Sequence, residues 1–109
     1  MGSFLGKSGR AAHAEMRIVW TPRAAGELAA ARAYIARDTP AAAAAQIERI
    51  FRAITSLPHF PEIGRPGRRV GTREFVVGRT PFIAVYRLRG DAIEIATVLH
   101  GRQRWPKEF

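Results

Sequence analysis

A chain of 109 residues has room for one compact domain around one hydrophobic core and none for a second catalytic domain. A hydrophobic share of 47% beside a charged share of 25% is the composition of a folded globule and excludes a disordered chain. The 18 Lys and Arg against 9 Asp and Glu leave a net charge of +9, so the partners should be acidic: nucleic acid, an acidic protein or an anionic membrane surface.

Almost all of that charge is arginine, since Lys7 and Lys107 are the only lysines, and the planar guanidinium suits bidentate contacts to phosphate and carboxylate. The absence of cysteine removes disulfides, thiolate chemistry and the usual structural zinc sites, and it fits a reducing cytoplasm. No apolar run approaches the roughly 20 residues that span a bilayer. Residues 1–15 also lack the apolar stretch of a secretory signal, so the expectation is a soluble cytoplasmic protein with no membrane partner.

In chain order, residues 1–15 are rich in Gly, Ser and Ala without periodicity and are expected to be a flexible tail, leaving residues 16–109 as the folded domain. Residues 16–20 (MRIVW) read as a short strand, stopped by Thr21 as a helix cap and Pro22 in the first turn. The helix should run to about Arg37, with Ala24, Leu28, Ala31 and Ile35 on its core face. Thr39 and Pro40 repeat the cap signal, so the chain reverses into a second helix whose stripe is Ala43, Ile47, Ile50, Ile54 and Leu57. Pro58 ends it, and the Pro- and Gly-rich stretch to Thr72 reads as a structured loop. Three β-rich runs follow, REFVV from Arg73, PFIAVYRL from Pro81 and AIEIATVLH from Ala92, joined by turns short enough for antiparallel hairpins. The expected order is therefore β-α-α-β-β-β, an α+β chain.

Four pieces in that order carry a family resemblance: WTPRAAGELAAARAYIA in the first helix, LPHFPEIGRPG in the loop, GTREFVVGRTPFIAVYRL across two strands, and VLHGRQRWP at the end. Together they resemble the ParE/RelE toxin superfamily, in its ParE-like, plasmid-stabilisation branch, from residue 16 to the C-terminus. The resemblance implies a helical hairpin packed on a twisted, mostly antiparallel sheet. It also implies a toxin of a type II toxin–antitoxin system, neutralised by a cognate acidic antitoxin of ParD or RelB kind that wraps it while folding. Promoter DNA would be reached only through that antitoxin. ParE-like members bind DNA gyrase, whereas RelE-like members cut messenger RNA in the ribosome and rely on several lysines. The folded region here has only Lys107, so the expectation is a non-enzymatic, growth-inhibiting gyrase toxin. The alternatives are a RelE-like ribosome-dependent endoribonuclease and a non-toxic basic nucleic-acid-binding module.

Cleavage of RNA needs a base for the 2′-hydroxyl, cations for the charged phosphorane and an acid for the leaving oxygen. Strict alternation along the last strand puts Glu94, Ala96, Val98 and His100 on one face, opposite Ile93, Ile95 and Leu99, which should lie against the helices. His100 would then end the strand on the open face. Arg87, alternating with Val85 and Ile83, would share that face, with Tyr86 on the other. His100, Arg73 and Arg87 are thus the candidate catalytic set if RNA is cut, with Arg79, Arg102, Arg104 and Trp105 as candidate binding residues. A plainer reading stands beside this one: a strand-end histidine before glycine is often a turn residue bonded to backbone, and arginines form a solvated face. Glu62, Glu74 and His59 read as structural, and Trp20, Phe51, Phe82 and Tyr86 as core. Trp105-Pro106 would pin the C-terminal segment to the sheet, or anchor an interface. The chain has no phosphate loop, no metal-ligand spacing and no placed serine, so neither metal nor cofactor is expected.

Overall fold

The computed structural model describes residues 16–102, 104–107 and 109; the tail expected over residues 1–15 lies outside them. Strand β1 (Arg17–Trp20) passes directly into helix α1 (Pro22–Asp38). Thr21 makes that junction, because its hydroxyl accepts the Ala24 N–H at 3.1 Å while Pro22 fills the first helical position. Helix α2 (Pro40–Thr55) also begins on proline, yet Thr39 makes no side-chain cap bond. The expected Thr39 cap is replaced by a tie to the helix before it: the Thr39 N–H donates to the Ile35 carbonyl at 3.1 Å and closes α1. Helix α2 stops at Thr55, short of Pro58, where the Ser56 and Leu57 amides turn back onto the Ala53 and Ile54 carbonyls in a tighter three-residue pattern.

Four further strands complete a mixed sheet: β2 (Arg65–Pro66), β3 (Arg73–Val76), β4 (Phe82–Arg89) and β5 (Ala92–His100). The order across the sheet is β1-β5-β4-β3-β2, with β1 parallel to β5 and every other neighbour antiparallel. The α+β architecture and the mostly antiparallel sheet agree with the sequence reading. β2 falls in the stretch read as loop; two residues are too few for any periodicity, and Pro66 is tolerated because β2 is an edge strand.

Both helices lie on one face, where Ile50, Ile54 and Leu57 meet Ala84, Tyr86, Ile93 and Ile95 in a single cluster. Each aliphatic side chain sealed there contributes about 1.5–3 kcal/mol. One irregularity redirects the end of β5. Tyr86 pairs with Ile95 but Val85 pairs with Thr97, so Ala96 is an extra residue, a bulge in the ladder. Ahead of it Ile93 and Ile95 face the helices; beyond it Val98 takes that face, packed in the same cluster as Ala84 and Phe82.

Candidate functional site

His100 follows Val98 in parity and is paired with Phe82, so the bulge carries it to the helix face. Its ring stands edge-on to Phe82 with centroids 5.5 Å apart and planes at 79°. It lines an open groove of about 580 Å³ together with Glu27, Ala31 and Tyr34 of α1 and with Arg102. Its Nδ1 accepts the Arg102 N–H at 3.1 Å, the turn-residue geometry of a strand end. The open-face placement expected from alternation is thus corrected, because one inserted residue inverts the face of everything after it.

Arg87 occupies the opposite face, as alternation implies. Its Nε donates to Glu94 at 2.8 Å and its guanidinium donates to the Phe109 carbonyl at 3.2 Å, while Arg89 shares Glu94 at 3.3 Å. Arg73 is turned to the loop after α2, donating to the Glu62 and Gly64 carbonyls at 3.1 and 2.7 Å. The three candidate catalytic side chains are therefore not gathered around one point. Arg79 stands exposed in the β3–β4 turn with φ 64°. Arg102 is at the groove mouth, and Arg104 is exposed.

Trp105 belongs to a segment laid along the outer face of the sheet. The Arg68 guanidinium lies 4.1 Å from the Trp105 ring centroid, and Arg69 lies 5.0 Å from that of Phe109. Arg69 also donates to the Pro106 carbonyl at 2.7 Å. Val85 and Leu99, which the register assigns to this outer face, are fully buried.

Four side chains organise both faces: Thr21, which the sequence marks only as a helix cap, Glu74, only as structural, Tyr86, only as core, and Glu27, to which it gives no role. β1 ends at Trp20, which exposes the edge of β5 beyond Ile95, and α1 supplies the missing partners. The Thr21 hydroxyl donates to the Ile95 and Ala96 carbonyls at 2.9 and 3.0 Å. One Glu27 oxygen accepts the Val98 N–H at 2.9 Å and the Thr97 hydroxyl at 2.6 Å. Glu27 borders the Ala24–Leu28 stripe and belongs to no motif, so nothing local announces these bonds. Glu74, only 4% exposed, accepts the Arg68 N–H at 2.8 Å and pairs with Arg65 at 3.3 Å, holding the β2–β3 turn. Tyr86 is fully buried; its hydroxyl donates to the Pro61 carbonyl at 2.8 Å and accepts the Gly64 N–H at 2.9 Å. Burial pushes its phenol above the ordinary 10.0, against the opposing pulls of the Gly64 N–H and the Arg73 charge.

The helix side is also apolar on its surface: Trp20, Leu28, Ile47 and Phe51 line a dent of about 350 Å³, with the Trp20 and Phe51 rings 5.8 Å apart. Among the described residues no set of three His, Asp or Glu stands close enough to hold a metal ion, and no helix is long and apolar enough to cross a membrane.

Residues 18–105 match the family model of the ParE toxin of the type II toxin–antitoxin system parDE. The chain belongs to the ParE toxin family. This ParE-family chain is 46% identical over 91 residues to the candidate toxin Y4kP of Sinorhizobium fredii, covering 84% of the chain and 94% of that protein. It is 34% identical over 84 residues to the toxin RelE2 of Caulobacter vibrioides, covering 77% of the chain and 93% of that protein. Among solved structures it resembles the chromosomal ParDE toxin–antitoxin system of P. aeruginosa at a TM-score of 0.74 and 27% identity, over 80% of the chain and 97% of that one. The toxin–antitoxin complex RelBE2 of Mycobacterium tuberculosis shares the fold at a TM-score of 0.52 and 23% identity, over 79% and 91% of the two chains. The family assignment makes the chain a toxin of a type II toxin–antitoxin system.

Proposed function

We propose that this ParE-family toxin arrests growth in the cytoplasm by binding DNA gyrase, without cutting nucleic acid, and that a cognate acidic antitoxin holds it silent. The observation that carries the reading is the separation of His100 from Arg87 by the thickness of the sheet. Phosphodiester cleavage asks for acid, base and cation within hydrogen-bond reach of one phosphate. Here Arg87 is tied to Glu94, Arg73 to two carbonyls, and His100 packs on Phe82. The match to the ParE model, and the greater likeness to a ParDE structure than to RelBE2, support the same choice of target. The antitoxin reading draws on those two solved systems and on the net charge of +9, which an acidic partner would complement.

The 34% identity to RelE2 favours a second reading, ribosome-dependent cleavage of message. One pair of assays separates the two. Purified chain should inhibit supercoiling of relaxed plasmid by gyrase with no ribosome present, and its antitoxin should relieve the inhibition. Unimpaired supercoiling, together with codon-spaced cuts in ribosome-bound message, would instead establish the RelE-like activity.

A further inference from the structure

Around the β2–β3 turn, three guanidinium groups are fixed by neutral partners, Arg68 and Arg69 against the C-terminal segment on the outer side of the sheet and Arg73, whose cross-strand partner is Tyr86, toward the helix side. Arg73 donates to the Glu62 and Gly64 carbonyls, Arg69 donates to the Pro106 carbonyl, and Arg68 lies over the Trp105 ring. An arginine paired with a carboxylate is positioned and neutralised; one held by a carbonyl or a ring is positioned and keeps its whole charge. The ion pairs of the described residues leave all three without a carboxylate. Residues 65–73 (RPGRRVGTR) hold four arginines and no acid, and the adjoining Glu74 is turned inward onto Arg65 and the Arg68 N–H. The turn therefore concentrates positive potential. Beside it lies a dent of about 200 Å³ lined by Pro66, Gly71, Thr72, Arg73 and Leu88. A Cβ built on Gly71 would meet nothing within 4 Å, so the turn is open to approach.

We propose that this β2–β3 turn, through Arg68, Arg69 and Arg73, docks on the phosphodiester backbone of duplex DNA, independently of base sequence. An acidic polypeptide is the competing partner, and the apolar surface argues against it here. A segment that folds as it binds must bury apolar area to offset its ordering. Apolar dents larger than the one at the turn are lined by Trp20 and Phe51, by Phe82, and by Phe60 and Ile63 of the loop after α2. The turn itself offers four arginines beside one large exposed hydrophobic side chain, Val70, a charge density that suits a backbone of regularly spaced phosphates. The choice of DNA over RNA rests on the gyrase reading, since gyrase would hold duplex DNA beside the bound toxin.

The test is fluorescence anisotropy of a short labelled duplex with the full chain across a salt series, without gyrase. Three phosphate contacts give an expected slope of log affinity against log salt of about −3. Arg68→Gln with Arg69→Gln should remove about two of those units and weaken binding at least tenfold at moderate salt. Arg32→Gln with Arg37→Gln, on α1, removes the same charge and should leave the slope nearly unchanged. Thermal melts confirm that both variants fold. Equal losses in the two variants, no binding by the wild type, or displacement of the duplex by polyglutamate at equal charge would each overturn the proposal, as would tighter binding of single-stranded RNA. Duplex binding without gyrase inhibition would sink only the gyrase reading, and gyrase inhibition without a salt-dependent duplex contact would sink only this one.

Discussion

On the helix side of the sheet, Ile93, Ile95, Ala84 and Tyr86 are closed over by the aliphatic stripes of α1 and α2. On the outer side, Val85 and Leu99 are buried where the C-terminal segment is tied to Arg69 and Arg87. The first closure is apolar, roughly proportional to area and indifferent to direction. The second is made of guanidinium–carbonyl bonds and ring stacking near solvent, where each tie is worth far less. The helix side therefore carries most of the stability, so substitutions on the two sides should separate in what they damage.

The helix side should yield the largest loss. A Cβ on Gly64 would stand 2.8 Å from the Tyr86 hydroxyl and 3.1 Å from the Glu74 carbonyl, neither with room to retreat. Gly64→Ala should cost about 1–3 kcal/mol, seen as a lower thermal midpoint, while leaving the Trp105 segment in place. An unchanged midpoint would mean that this face is looser than its packing implies.

Tyr86→Phe keeps the ring and strands the Pro61 carbonyl and Gly64 N–H, at a cost of about 1–3 kcal/mol. It also gives a signature in pH. Because burial raises the Tyr86 pKa in the fold, its contribution is fully present below the unfolded value and is lost as pH rises through the folded one. In denaturant titrations the wild type should lose stability above the ordinary 10.0 more steeply than Tyr86→Phe. Parallel curves would show that the buried phenol contributes no pH dependence.

The outer face should respond least. Trp105→Ala removes one stack under Arg68, about 0.5–1 kcal/mol, so the midpoint should barely move. The same change should speed proteolysis after residue 102, which Gly64→Ala should not do. If Trp105→Ala lowered the midpoint as far as Gly64→Ala, the contrast between the faces would fail.

Sequence made the helices legible because their signals are local. Proline after threonine fixed both starts, and the four–three spacing of Ala24, Leu28, Ile50 and Ile54 marked the buried sides. The β3, β4 and β5 runs were legible for the same reason, as was Arg87 on the outer face. What escaped is set by pairing. The Ala96 bulge depends on how β4 meets β5 and on Thr21 and Glu27 reaching the edge of β5 from α1, so period-two counting placed His100 on the wrong side. The Thr39 cap failed where its own backbone serves the helix before it. Glu74 and Tyr86 became organising residues only once the β2–β3 turn and the loop after α2 folded back onto the sheet.

Growth arrest by a His100→Ala chain tests most directly whether this toxin binds rather than cuts. With His100 packed on Phe82 and across the sheet from Arg87, induction of His100→Ala should arrest growth as the wild type does, and co-expressed antitoxin should rescue it. Loss of arrest by a variant that melts with the wild type and still binds its antitoxin would contradict the account and return His100 to a catalytic role.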